Sequence, residues 1–268
     1  MFALAQRGAE VGFNAGVAYY FGDLNTQFNL SRPGLGLNAY GRFNFDERIA
    51  IKMGLYYGRI SGDDAQSDNA FQQARNLDFY SNVWDGTLQL EFNFFPYIHG
   101  SKDRYFTPYI FAGLSAFHYN PKTKLNGTTY SLREFGTEGQ DIGGEYSLFN
   151  LGVAYGGGLK WDLNYYWSIN VELSGRFLFT DYLDDVSEVY PDPNVLAILR
   201  GPDAVALSDR SDPDAPGGQI GRAGIQRGNS KNNDSYNFAM VGLAYYFGRV
   251  KCPPISRPNV RSRKKSKY

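Results

Sequence analysis

The chain has 268 residues, 27 basic against 27 acidic side chains and a formal net charge of zero. Its mean hydropathy of -0.42 would file it as soluble, but that average is blind to a strand that shows an apolar residue only at every second position. No run approaches the ~20 apolar residues a spanning helix needs, and the single cysteine, Cys252, excludes an internal disulfide framework or a multi-cysteine metal site.

The 31 glycines and 12 prolines favour many short elements joined by turns, and the 21 Tyr and 20 Phe suit a boundary between hydrocarbon and water. At the start, Ala3-Leu4-Ala5 has the small-x-small form of a signal-peptidase site, which predicts cleavage after Ala5 and export, with 1–5 as a signal-peptide remnant. Three segments follow: Val11 to Phe21 with Asn14 inside, Leu37 to Phe45 with Asn38, Arg42 and Asn44 inside, and Ile49 to Ile60 with Lys52 inside. The clearest alternation is Thr87 to Phe94. Leu88, Leu90, Phe92 and Phe94 share one face, and Thr87, Gln89, Glu91 and Asn93 the other. Phe106 to Tyr119 is apolar on both faces, so its orientation stays open. Phe149 to Trp161 puts Leu151, Val153, Tyr155, Leu159 and Trp161 outside, with Asn150, glycines and Lys160 inside. Ser168 to Thr180 sets Ile169, Val171, Leu173, Phe177 and Phe179 against Ser168, Asn170, Glu172, Ser174 and Arg176, and Tyr236 to Phe247 is the eighth segment.

An even number of strands returns both chain ends to one side. Connections on one rim are tight (Asp46-Glu47-Arg48, Pro96 to Arg104, Asp162 to Tyr165); on the other they are long (Gly22 to Gly36, Ser61 to Tyr80, Asn120 to Ser147, Asp181 to Ser235). Arg42, Lys52, Glu91, Lys160, Glu172 and Arg176 alternate with apolar residues, so the polar face points inward, the reverse of a lipocalin. The reading is all-β: over 6–248, an eight-stranded antiparallel transmembrane β-barrel with short periplasmic turns, long extracellular loops and both termini periplasmic. It lies in the outer membrane. An eight-stranded barrel is filled by its own side chains, and buried charges are tolerable only when paired, so those six residues are predicted to form an interior ion-pair network with no open pore.

Gly242-Leu243-Ala244-Tyr245-Tyr246-Phe247 has the glycine and alternate terminal aromatics of the signal read by barrel assembly machinery, with Gly242, Tyr245 and Phe247 as its elements. Beyond it, 249–268 is a basic tail: Arg249, Lys251, Arg257, Arg261, Arg263, Lys264, Lys265 and Lys267 with no acid, leaving 19 basic against 27 acidic residues in the rest. Pro253, Pro254 and Pro258 prevent regular pairing, so the tail is predicted to be extended and to order only on a partner: it is either a solvated tail or, Cys252 included, a partner-binding segment for an acidic periplasmic protein, the compartment excluding nucleic acid. In that oxidising compartment Cys252 either stays a free thiol or pairs with another chain. Asp63-Asp64 and Asp181, Asp184 and Asp185 offer oxygens for calcium, but without EF-hand spacing they are read as loop caps and solvated charge. Gly156-Gly157-Gly158 is not followed by the helix of a phosphate loop and relieves crowding in a narrow barrel. His99, in a turn, and His118, near a strand end, are the two histidines; neither has triad spacing, and no enzymatic activity, cofactor or metal is assigned.

Taken together, Gly22-Asp23-Leu24-Asn25, Gly58 to Ala65, Arg75-Asn76-Leu77, Leu88 to Tyr97, Phe106-Thr107-Pro108-Tyr109, Gly136 to Gln140 and Thr180 to Ser187 resemble the PorG-like outer-membrane barrel family of the Bacteroidota. Pro191 to Asn233 departs from it as an Asp/Gly/Pro-rich insertion. The resemblance implies a non-enzymatic component of the type IX secretion system that anchors the periplasmic ring, lipoprotein and ring subunits alike, to the outer membrane. The alternative is a surface receptor or adhesin that binds through its long loops.

Overall fold

A computed structural model describes residues 8–27, 29–214 and 218–248; the predicted signal remnant 1–5 and the tail 249–268, with Cys252, lie outside the described residues. Ten strands run in chain order: β1 (Gly8–Phe21), β2 (Gly34–Asn44), β3 (Ile49–Asp63), β4 (Asp78–Asn93), β5 (Phe106–His118), β6 (Lys122–Leu125), β7 (Thr128–Ser131), β8 (Phe149–Asp162), β9 (Trp167–Leu178) and β10 (Ser235–Tyr246). Eight of them pair in the order β3-β2-β1-β10-β9-β8-β5-β4, and the β3–β4 ladder closes the ring. All pairings are antiparallel, and β1 against β10 joins the ends of the chain's fold.

The alternation explains the orientation. Leu88, Leu90, Phe92 and Phe94 are between 41% and 59% exposed on the outer wall, whereas Glu91 and Arg176 are 0% exposed. The interval from Trp84 to Phe94 matches the roughly 9–11 residues with which a tilted strand crosses hydrocarbon. Outward aromatics gather at both ends of that band: Phe43, Phe94, Trp161 and Trp167 toward the short turns, and Trp84, Phe149 and Phe177 toward the long loops. An apolar wall of this height around a charged interior is a transmembrane barrel. β5, left open by its sequence, turns Thr107, Tyr109, Phe111, Ser115 and Phe117 inward, with Ile110 and Leu114 outward.

Three expectations need correction. The interval Ser61 to Tyr80 is not all loop, because the β3–β4 ladder continues to Asp63↔Asp78. Its outward residues turn polar on leaving the hydrocarbon, so the apolar alternation fades while the backbone pairing does not. Asn120 to Ser147 contains the β6–β7 hairpin, bonded to β4 at Tyr80↔Lys122. Its turn is Asn126-Gly127, both at positive φ (51° and 83°), a two-residue hairpin signature present in the sequence. The long Asp181 to Ser235 connection folds α2 (Pro193–Arg200) and α3 (Pro202–Ser208), each begun by a proline, and the Asp192 side chain caps α2 by accepting from Asn194 N at 2.8 Å. A short α1 (Ala70–Arg75) sits between β3 and β4.

Candidate functional site in the lumen and its cap

The lumen is filled in tiers. Arg42 reaches Glu10 (Nη1 to Oε2, 2.8 Å) and Glu91 (Nε to Oε2, 2.8 Å), and Lys160 Nζ lies 2.6 Å from the same Glu91 and 3.1 Å from Asn93 Oδ1. Next, Lys52 pairs with Glu172, which also accepts from the Tyr56 hydroxyl (2.7 Å) and the Tyr109 hydroxyl (2.8 Å). Above them Arg176 Nε binds Asp85 Oδ2 at 2.6 Å, while Ser115 Oγ donates to the other oxygen at 2.6 Å. The six charged residues picked out by alternation therefore meet in one interior, though not as one another's only partners. Glu10 and Asp85 complete the set. Both obey the same alternation inside paired strands, but they precede the runs Val11 to Phe21 and Thr87 to Phe94 in which the apolar alternation is clear.

Tyrosine does more inside than its boundary preference suggests. Tyr40, Tyr56 and Tyr109 point into the lumen and put their ring faces 4.6 Å from Lys52, 4.6 Å from Arg176 and 4.5 Å from Lys160 respectively. Gly156 and Gly158 lie opposite Phe111 and Tyr109, where a Cβ would collide with those rings and with the β9 backbone. They make the room in which the rings sit.

The turn-side end is plugged by His99. Its turn folds inward, so that Nε2 lies 3.0 Å from Glu10 and Nδ1 3.0 Å from Asp162, with Tyr246 stacked on the ring at 4.1 Å. Burial opposes a charge on this imidazole, but the two carboxylates outweigh it and push the pKa up to about 9. The Tyr97 hydroxyl and Gly100 N (3.0 Å) also bind Asp162, and Gly100 holds φ at 73° where a Cβ would meet Tyr165.

The loop-side end is closed by a cap in which sequence blocks far apart in the chain converge. Arg75 forks onto Asp64 (2.7 and 2.8 Å) and also donates to the carbonyls of Asp23 (2.9 Å) and Arg227 (2.5 Å). Arg227 in turn binds Glu138 (3.0 Å) and the Asp185 carbonyl (2.5 Å), and Glu138 accepts from Ser187 N (2.9 Å). The Tyr20 hydroxyl bridges Asp184 and Asp234. Burial first, then the nearby carboxylates, hold both acids well above the usual carboxylate range. Burial likewise raises Asp181 to about 7 and Asp185 to about 6, the latter in spite of Arg227. Asp184 and Asp185 are thus buried bolts, not solvated charge. Asp63 pairs with Arg32 at the rim. No group of three His, Cys, Asp or Glu residues among the described residues is arranged to hold a metal.

The described part of the predicted assembly signal is strand β10 and the residue after it: Gly242 packs its backbone against Phe13 and Asn14, Tyr245 lies against Tyr166 and Trp167, and Phe247 is exposed. His118 is on the outer wall, opposite Trp84. A family model described as Domain of unknown function (DUF6089) matches residues 1–204. The chain belongs to the DUF6089 family. The DUF6089 match ends within α3, so Arg227 and Asp234 of the cap and the closing strand β10 follow it. No curated protein matches this DUF6089 chain. Its fold is similar to solved structures of the attachment invasion locus protein Ail of Yersinia pestis in complex with the heparin analogue sucrose octasulfate (11% identity, 90% of this chain and 99% of that one, TM-score 0.43) and of Neisserial surface protein A (10%, 88% and 96%, 0.43). It is also similar to that of the outer membrane protein OprG from Pseudomonas aeruginosa (11%, 91% and 98%, 0.40).

Proposed function

We propose that this DUF6089 protein is an outer-membrane β-barrel that works as an anchor, holding a periplasmic ring complex of a type IX secretion system to the membrane as the PorG-like resemblance implies. The observation that carries the reading is the filled lumen: with charges paired at every tier and both ends plugged, the barrel passes nothing and acts through its rims. Short turns then face the periplasm, and Gly242, Tyr245 and Phe247 serve the assembly machinery. The charge of the sequence fits the same arrangement, since eight of its 27 basic residues fall in 249–268. Ring lipoprotein and ring subunits should co-purify with the tagged full-length chain from mild detergent and be identified by mass spectrometry. Deleting 249–268 should abolish that recovery and secretion while the barrel still inserts; unchanged recovery would remove the tail from the reading.

A second reading, a surface receptor or adhesin, is favoured by α2, whose Val195, Ile198 and Leu199 form an exposed apolar face with Ile198 at 85% exposure. In that case Val195→Glu with Ile198→Glu abolishes adhesion to a host or abiotic surface and leaves secretion intact.

A further inference from the structure

On the outer wall, just above the hydrocarbon band, β3, β4 and the β5–β6 segment present a small grid of side chains. Cross-strand partners place Tyr57, Trp84 and His118 in one row, since Tyr57 pairs with Trp84 and Trp84 with His118. The next rows begin with Arg59 opposite Asn82 and end with Tyr80 opposite Lys122. Directly opposed side chains stand ~5 Å apart and successive outward residues of one strand ~7 Å, so the grid is about the size of a disaccharide head group. Tyr80, Asn82, Trp84, His118, Asn120 and Lys122 line a shallow cleft there.

Three properties of this cleft point to a ligand. It is basic: Arg59 lies 5.4 Å over the Tyr80 ring, and among the described residues neither Arg59 nor Lys122 makes an ion pair. The nearest acids one row further out, Asp63 and Asp78, are held by Arg32 and Arg210. It has flat aromatic faces, with Tyr57 and Trp84 5.0 Å apart. Below it small residues recess the lipid-facing wall: Ala39 of β2, Gly86 of β4 and Ala116 of β5 floor an apolar groove between Leu55, Leu88 and Leu151.

We propose that this surface is a specific site for one phosphorylated, acylated glycolipid of the outer leaflet. Its phosphate sits between Arg59 and Lys122, its sugar lies on Trp84, and its acyl chains fill the groove beneath. Charge complementarity selects the phosphate, and the cleft directly above the groove selects an amphiphile over a free anion. The inference rests on the proposed membrane only for the choice of leaflet.

The full-length chain in dodecyl maltoside is titrated with diphosphoryl lipid A and, separately, with dioleoyl phosphatidylglycerol, and bound lipid is counted by native mass spectrometry. One lipid A should be retained at least ~10-fold more tightly than phosphatidylglycerol. Each cation removed should cost about fivefold, so Arg59→Gln with Lys122→Gln weakens lipid A by roughly 25-fold. Gly86→Trp, which fills the groove without touching charge, should weaken it as well. These outward residues leave the interior intact, and heat-modifiable gel mobility reports that each variant is folded. Equal retention of the two lipids by the wild type, or of lipid A by wild type and double variant, overturns the site. Ring-subunit recovery measured on the same variants should not change, so failure of the lipid site is read separately from failure of the anchor.

Discussion

Glu91→Gln is the sharpest probe of a sealed lumen. Glu91 answers both Arg42, at 2.8 Å, and Lys160, at 2.6 Å. Arg42 keeps Glu10 when it goes, but Lys160 keeps only neutral partners, Asn93 and the Tyr109 ring. Among the described residues the tiers between the end plugs balance Arg42, Lys52, Lys160 and Arg176 against Glu10, Asp85, Glu91 and Glu172, so the variant leaves one uncompensated positive charge out of reach of water. At an effective dielectric of about 20, charges 2.6 Å apart attract by roughly 6 kcal/mol, part of which desolvation cancels. Removing one partner of such a buried pair costs about 3–5 kcal/mol. Urea unfolding from lipid vesicles, followed by the fluorescence of the outward Trp84, Trp161 and Trp167, measures this directly. Glu91→Gln with Lys160→Met should recover at least half of the loss, because the orphaned cation is gone. A cost below ~1 kcal/mol for the single variant would mean that water reaches Lys160, and the filled lumen would be refuted.

At the turn-side plug, His99 has a folded pKa of about 9 against 6.5 in the unfolded chain. Its contribution, of order 3 kcal/mol, is complete below about pH 6.5 and fades as pH rises to about 9; His99→Asn should flatten that part of the urea-stability profile. In the cap the sign is the same for a different reason. Asp181 and Asp185, raised to about 7 and 6, bind protons more tightly folded than unfolded, so cap stability falls as pH climbs from about 4 to 7. Hydrogen exchange at Tyr182 to Ser187, corrected for intrinsic rates, should show more protection at pH 5 than at pH 8; the opposite order would contradict buried, proton-holding acids. Finally, Leu88→Arg, midway along the outer band, should cost about 2–4 kcal/mol in vesicles, and a neutral result there would argue against lipid contact.

Period-two alternation was enough to declare the barrel, its polarity and its strand count, because each side chain's face follows from the pleat alone. Leu88 to Phe94 and Ser168 to Phe179 carry that information locally, as do the short turns. The charged residues of the lumen were legible for the same reason, except Glu10 and Asp85, which precede the clear apolar alternation of Val11 to Phe21 and Thr87 to Phe94. Their partners were not. Which carboxylate meets Lys160 or Arg42 depends on the stagger of eight ladders around a closed ring, a long-range quantity that no window of sequence contains. The cap is the extreme case: Asp64 and Arg75 on one connection, Glu138 on a second, and Asp185 and Arg227 far apart on a third read one by one as surface charge, the commonest fate of loop charges. Only closure of the barrel brings those loops over one opening, where water is expelled and each charge must find its opposite.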